Sequence, residues 1–189
     1  MMGPVQDLRR LLGAFAREFA RDRRGVSAIE FALIAPFLIA LYMGMAELSQ
    51  GMTAQRRASH AASALGDLIT QQDVITATNV DDVLNAATTI MKPFPTTSLK
   101  VRITSVTADS NGVPKSEWSR GKNGMGAYTN GTTISVPTGL LSAGDNLLIA
   151  ESAYTYTSPV TTVLPNALVF SEKFYLKARK GSKVVCTGC

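Results

Sequence analysis

Histidine, cysteine and tryptophan are scarce in this sequence: its 189 residues include one His, two Cys and one Trp. His60 lies among Ala and Ser residues, with no serine nucleophile and aspartate partner arranged around it, and we interpret it as a surface or packing residue. Two thiols are too few for a structural zinc site, which usually takes four ligands. The sequence therefore predicts no catalytic residue, no metal site and no cofactor, in a protein that is not an enzyme.

A strong charge of one sign is also missing from most of the chain. The net charge is +5, but the first 25 residues hold six Arg against three acidic residues, and the other 164 hold 13 Lys or Arg against 11 Asp or Glu. An RNA-binding arm is the alternative interpretation of the Arg cluster. However, an apolar run follows the cluster directly, and Lys and Arg before such a run are typical of its cytoplasmic side. We expect membrane lipid, and no nucleic acid, as a partner.

Only one apolar run is long enough to cross a membrane. The 22 residues from Gly25 to Ala46 carry a single charge, Glu30. A helix of that length spans about 33 Å, against a hydrocarbon core of about 30 Å. A secretory signal peptide is the alternative, but its apolar region is shorter, about 7–15 residues, and no convincing A-x-A cleavage site follows here. The N-terminus is then cytoplasmic, and the larger C-terminal part lies across the membrane.

Helical periodicity extends well beyond the apolar run. We predict one helix from Val26 to Gln71, kinked at Pro36 because proline removes one backbone hydrogen bond. A second helix is predicted from Val80 to Met91, capped by Asn79 and stopped by Pro93. The long helix would continue from the membrane into the domain beyond it.

After the second helix the pattern changes to the period of two that is typical of strands. Asn111-Gly112 favours a type I′ hairpin turn, because both residues accept positive φ angles. The predicted strands are Leu99–Ile103, a second arm near Glu117–Ser119, Thr133–Val136, Leu147–Thr157, Leu168–Ala178 and a last edge at Val184–Val185. We interpret five aromatic residues as sheet packing rather than a ligand groove: Trp118, Tyr154, Tyr156, Phe170 and Phe174. The fold class is α+β, a long N-terminal transmembrane and amphipathic helix packed on a small antiparallel sheet.

The junction between the Arg-rich segment and the apolar helix resembles a known processing site. Gly25 followed by Glu30 is similar to the prepilin peptidase site of type IV pilins, in which cleavage follows the glycine and the glutamate is the fifth residue of the mature chain. More narrowly, RRGVSAIEFALIAPFLIALYMGMAEL resembles the TadE/TadG-like family of the tight-adherence (Flp) pilus system. The resemblance is carried by the pair Glu30-Phe31, by Pro36 and by the small-residue exit from Gly44 to Glu47.

This resemblance implies a minor pilin or pseudopilin with a pilin-like fold, processed by prepilin peptidase and acting in pilus assembly and adhesion. The implied partners are the prepilin peptidase, other pilin or pseudopilin subunits and the Tad assembly platform. The implied location is the bacterial inner membrane, with the N-terminus cytoplasmic, the C-terminal domain periplasmic and incorporation into the extracellular pilus as one outcome. The alternative is a single-pass membrane-tethered periplasmic binding module that is neither processed nor polymerised.

These expectations divide the chain into four parts. Residues 1–25 are the cytoplasmic prepilin leader, 26–47 the transmembrane half of the long helix, 48–92 a periplasmic helical segment and 93–189 the periplasmic antiparallel sheet domain. The expected processing residues are Gly25, Val26, Glu30 and Phe31. Cleavage after the glycine would free an α-ammonium on Val26, one helical turn from the carboxylate of Glu30.

The two cysteines, Cys186 and Cys189, would face an oxidising compartment, where a disulfide is permitted. A C-x-x-C spacing does not by itself prove a disulfide. A thioredoxin-like redox role requires a following helix in a βαβ context, which this sequence does not predict. We therefore expect either a local disulfide or two reduced thiols.

Overall fold

A computed structural model describes residues 25–159 and 167–189. The expected leader lies outside the described residues, except for Gly25. Helix α1 runs from Val26 to Thr70, which confirms the predicted long helix to within one residue of its expected end. Pro36 lies inside α1 without ending it, and the kink at this position stays a prediction.

Helix α1 belongs to two compact units that meet between Met45 and Ala46. In the first unit, the large apolar side chains of the helix are exposed, and none of the residues in its most apolar stretch is buried. By length and composition this is the one candidate membrane span in the described part of the chain. A membrane is the environment that satisfies so much exposed apolar surface, which indicates an anchoring helix.

In the second unit, α1 packs on a sheet through small side chains. Its buried residues from Gly51 onward are Gly51, Ala54, Ala58, Ala61, Ala62, Leu65, Gly66, Ile69 and Thr70. A Cβ atom at Gly66 would come within 2.6 Å of Leu176 Cδ1 and 3.1 Å of Ala150 Cβ, so the strands approach closely there. The helix and sheet therefore form the expected α+β arrangement within this unit.

A short strand and a second helix follow. Strand β1 is Val74–Thr76, and helix α2 is Ala77–Met91. The predicted start at Val80 and the predicted cap Asn79 are wrong, because the Thr76 side chain accepts a hydrogen bond from the Asn79 backbone N–H at 3.2 Å and caps the helix one turn earlier. The helix ends at Met91, ahead of Pro93, as predicted.

Four antiparallel strands in the order β3-β2-β4-β5 form the main sheet. They are β2 (Leu99–Ala108), β3 (Pro114–Lys122), β4 (Asn146–Tyr156) and β5 (Leu168–Leu176). The β2–β3 hairpin is confirmed, but its type I′ turn is wrong because Gly112 has a positive φ of 77° and Asn111 does not. The carboxylate of Asp109 instead accepts hydrogen bonds from the backbone N–H groups of Asn111 and Val113, each at 2.9 Å.

Two predicted edges differ from the structure. Thr133 makes only an isolated bridge to Lys115, so Thr133–Val136 is not a strand. Strand β6, Val185–Thr187, pairs in parallel with β1 in a separate two-stranded sheet and is not an edge of the main sheet. The preceding residue is held near β3, because the carbonyl oxygen of Val184 accepts a hydrogen bond from the indole N–H of Trp118 at 2.9 Å. The five aromatic residues predicted to pack in the sheet do so.

Both faces of the main sheet are covered. One face packs against α1 and α2 around buried Leu99, Ile103, Leu148 and Tyr154. The other carries a smaller cluster, which the sequence did not predict, of Val106, Ile134, Leu147 and Ile149 with Tyr128 and Tyr175 against it. Alternate residues of β4 feed the two clusters, as the period of two requires.

Candidate functional site

Gly25 stands directly before the first residue of α1. Its carbonyl oxygen accepts a hydrogen bond from the backbone N–H of Ile29 at 3.1 Å, so the first helical bond crosses the Gly25–Val26 peptide. A Cβ atom at Gly25 would meet no described atom within 4 Å, and no positive φ requires glycine there. Neither packing nor backbone geometry within the described residues explains this glycine.

The helix start that follows is exposed throughout, including Val26, Glu30 and Phe31. Val26 is 47% exposed and Phe31 is 67% exposed, and neither belongs to the core clusters. The first turn of α1 holds no acidic residue, so Glu30 is the first carboxylate of the helix. It lies four residues after Val26, and residues at this spacing are neighbours on one helix face.

Glu47 is a second carboxylate with an unusual environment. Only 2% of the residue is exposed, yet it lies at the start of the second unit, after the apolar stretch. The hydroxyl of Ser158 donates a hydrogen bond to Glu47 Oε2 at 2.7 Å, and the hydroxyl of Tyr156 donates to the same atom at 3.1 Å. This set of contacts, the Glu47 anchor, fixes the domain half of α1 to the end of strand β4.

Tyr156 is held in place by packing as well as by Glu47. Its ring lies 3.7 Å from the position of a Cβ at Gly51, and it meets the Phe94 ring edge-on, with centroids 6.3 Å apart. Burial, followed by the hydrogen bond to Glu47, raises the pKa of Tyr156 to about 12. The hydroxyl therefore stays protonated and remains a donor to the carboxylate. Sequence reasoning placed Glu47 in the helix exit and Tyr156 in the sheet, but did not bring them together.

A charged row crosses the opposite face of the sheet at Arg102, Glu151 and Lys173. The Glu151 side chain is 5% exposed and contacts Arg102 Nε at 2.6 Å and Lys173 Nζ at 2.9 Å. The Arg102 guanidinium lies 3.8 Å from the centroid of the Tyr128 ring. Burial raises the pKa of Glu151, but the hydrogen bonds from Arg102 and Lys173 outweigh it and hold this pKa below its ordinary value. The row ties β2, β4 and β5 together.

The remaining candidate residues lie apart from these groups. Cys186 and Cys189 are joined by a disulfide at strand β6. His60 is exposed on α1, and its backbone carbonyl accepts a hydrogen bond from the Ser63 hydroxyl at 3.1 Å. Within the described ranges no three His, Cys, Asp or Glu side chains are grouped to hold a metal ion. The structure thus presents an exposed helix start and a buried anchor as its most specific features.

Comparison with known proteins adds one match. Residues 25–66 match the protein-family model described as TadE-like protein. The match begins at Gly25 and includes Glu30, Phe31, Pro36 and the anchor residue Glu47. No curated protein and no solved structure matches the chain significantly.

Proposed function

We propose that this chain is a TadE-like protein of the tight-adherence pilus system and works there as a minor pilin or pseudopilin. In this proposal prepilin peptidase cleaves the chain after Gly25, and the mature protein, beginning at Val26, acts in pilus assembly and adhesion with other pilin subunits and the assembly platform. The observation that carries the proposal is the match that begins at Gly25, at the exposed start of an unburied apolar helix.

The geometry of the helix start supports cleavage at this position. Gly25 is exposed and meets no described side chain, so an enzyme can approach the Gly25–Val26 peptide without displacing the described core. Cleavage removes the Gly25 carbonyl and with it the bond to the Ile29 N–H. What remains is an amino-terminal helix end carrying a positive charge.

The Glu30 carboxylate compensates the positive charge that cleavage creates at Val26. The N-terminal end of a helix already carries about half a positive charge from its aligned peptide dipoles, so an α-ammonium on Val26 adds an unfavourable like charge. The Glu30 carboxylate, one turn further on, offsets both the helix dipole charge and the charge of the α-ammonium. Between packed subunits, the same carboxylate can instead pair with the Val26 ammonium of a neighbour and set the axial offset between them. A carboxylate at this depth is costly in lipid, which explains why it needs such a partner.

The division of the chain follows from the same proposal. Residues 1–25 are the cytoplasmic leader, 26–47 cross the inner membrane, and the helical segment 48–92 and the sheet domain 93–189 lie in the periplasm. The disulfide of Cys186 and Cys189 is compatible with an oxidising periplasm. The Glu47 anchor would hold the first turns of the domain half of α1 on the sheet during assembly.

N-terminal analysis of the protein extracted from membranes tests the proposal. We expect the intact mass and the N-terminal peptide to begin at Val26 in cells that contain the peptidase. The variant Gly25→Val should keep residues 1–25, whereas Gly44→Ala, a matched glycine change inside the helix, should be processed normally. An intact N-terminus in the unmodified protein would instead support a tethered binding module that is not processed.

Glu30→Gln separates processing from assembly. The carboxamide keeps the size of the side chain but cannot neutralise the Val26 ammonium. We expect this variant to be less well incorporated into pilus fractions prepared by shearing, with Glu117→Gln as the control in the sheet domain. Unchanged processing together with unchanged incorporation would contradict the role given to Glu30.

A further inference from the structure

The two edge strands of the main sheet, β3 and β5, differ in how their outer backbone groups are covered. At the β3 edge, the backbone of residues 131–134 covers the strand: the Ser116 N–H bonds the Thr132 carbonyl at 2.9 Å, and the Ile134 N–H bonds the Pro114 carbonyl at 3.0 Å. At the β5 edge, no backbone hydrogen bond reaches the outer side of the strand from any residue the structure describes. An uncovered edge is a template for another strand.

Strand β5 is long and regular enough to act as such a template. Its nine residues pair with β4 from Leu168 to Leu176 without a register shift, and it contains no proline. Val169 is 65% exposed and Ser171 is exposed on the strand. The regular pairing with β4 places the remaining amide and carbonyl groups of β5 in ladder geometry, pointing away from β4.

The chain just beyond β5 is basic. Lys177, Arg179 and Lys180 follow the last residue of the strand, whereas the strand itself holds Lys173 and Glu172. Lys173 and Arg179 are already paired, with Glu151 and Asp67. Lys177 and Lys180 are exposed and make no ion pair with any described residue.

A groove of about 440 Å³ runs between α1 and β5, beside the open edge. It is lined by Arg56, Ser59 and His60 from the helix and by Glu172 and Phe174 from the strand. Arg56 is exposed and, among the described residues, has no acidic partner. Alternate side chains of a strand added to β5 would project towards this groove, since neighbouring residues of a strand point to opposite faces.

From these observations we propose that the open edge of β5 binds an extended, acidic segment of a partner protein as an additional strand. Backbone hydrogen bonds to β5 supply the attachment, and Lys177, Lys180 and Arg56 select acidic side chains over neutral or basic ones. The inference concerns a surface that prepilin processing does not touch, so it stands or falls independently of cleavage after Gly25.

The first test uses the full chain in an uncharged detergent and a fluorescent nine-residue peptide of alternating Glu and Val as the probe. Two matched peptides serve as controls, one with Lys in place of every Glu and one with a central Pro that keeps the acidic charge. We expect the acidic peptide alone to raise the fluorescence anisotropy at saturation. Binding of the Pro peptide with equal affinity would overturn the proposal, because a contact of charge alone does not require a strand.

The second test locates the site. With the acidic peptide bound, hydrogen–deuterium exchange should slow in residues 168–176 and not in residues 114–122. The double variant Lys177→Glu/Lys180→Glu should weaken binding roughly tenfold, since each exposed charge contributes a modest attraction and its reversal a repulsion. Lys122→Glu at the β3 edge is the control and should leave the affinity unchanged. Protection confined to β3 would place the peptide at the other edge, and equal affinities of the two variants would show that the lysines do not select it; either result would overturn the proposal.

Discussion

The hydroxyl of Tyr156 donates a hydrogen bond to the carboxylate of Glu47, a residue 109 positions earlier in the chain. The bond joins the start of the domain half of α1 to the end of strand β4, and both residues are buried. A buried carboxylate is stable only when donors satisfy its oxygens. The position of the helix exit on the sheet therefore depends on a polar contact as well as on apolar packing.

Removing one donor of the Glu47 anchor should weaken the fold. We expect Tyr156→Phe to lower the free energy of unfolding by about 1.5–3 kcal/mol, the usual range for a hydrogen bond to a charged group. Chemical unfolding of the full chain in detergent measures this difference. Tyr42→Phe is the matched control, because Tyr42 is 68% exposed on the apolar half of α1, and it should change stability little. Equal effects of the two variants would contradict the anchor.

The same tyrosine should make the folded protein less stable at alkaline pH. The pKa of Tyr156 is raised to about 12 in the folded protein, against about 10 in an unfolded chain. The stabilisation is therefore complete below about pH 10 and is lost as the pH rises through about 12. We expect the stability difference between the unmodified protein and Tyr156→Phe to shrink across this window. A difference that stays constant with pH would contradict the raised pKa of Tyr156.

Glu151 should make the folded protein less stable at acid pH. Because its pKa is lowered in the folded state, its contribution is present above the ordinary glutamate pKa and is lost as the pH falls through the folded value. Glu151→Gln leaves Arg102 and Lys173 without their carboxylate and should cost about 3 kcal/mol near neutral pH. The stability of this variant should depend less on pH in the acid range than that of the unmodified protein. Glu117→Gln, in the more exposed pair with Lys183, should cost at most about 1 kcal/mol.

Substitution by alanine should stabilise the fold at one glycine and destabilise it at another. A Cβ at Gly51 would lie in ordinary contact, 3.7 Å from the Tyr156 ring, so Gly51→Ala should stabilise the helix by about 0.8–1 kcal/mol. A Cβ at Gly121 would lie 1.9 Å from the backbone oxygen of Met125, which cannot move without shifting the chain. Gly121→Ala should therefore be destabilising. Thermal unfolding of the two variants side by side would refute this contrast if both changed in the same direction.

The parts of the fold that depend on local pattern were predictable from the sequence. The apolar run with its helical continuation predicted α1 from Val26, and the alternation of apolar and polar side chains over residues 99–103 predicted β2. The cap of α2 was missed because Thr76 and Asn79 are both good cap residues, and only the extended backbone at Thr76 decides between them. The strand expected at Thr133–Val136 was wrong because the pairing there is limited to a single bridge.

Long-range contacts were not predictable in the same way. No periodicity in the sequence relates Glu47 to Tyr156 or Arg102 to Glu151, because these pairs form only after the strands take their order. The parallel pairing of β6 with β1 was equally hidden, since it joins residues as far apart in the sequence as Val74 and Val185. The processing residues differ again, because their interpretation rests on a resemblance in sequence, and their role stays a prediction.

The alanine-lined half of α1 has a consequence for how this protein can vary. The Ser152 hydroxyl bonds the carbonyl oxygen of Ala58 at 3.0 Å, so strand β4 touches the helix backbone itself. Ala54, Ala58 and Ala61 are fully buried, so larger side chains there should strain the packing. The exposed residues before Met45 need only stay apolar. Substitutions in the domain half of α1 are therefore limited by side-chain size, and those in the apolar half by side-chain polarity. In a library of variants randomised along α1, the limit on tolerated substitutions should change from polarity to size near Ala46.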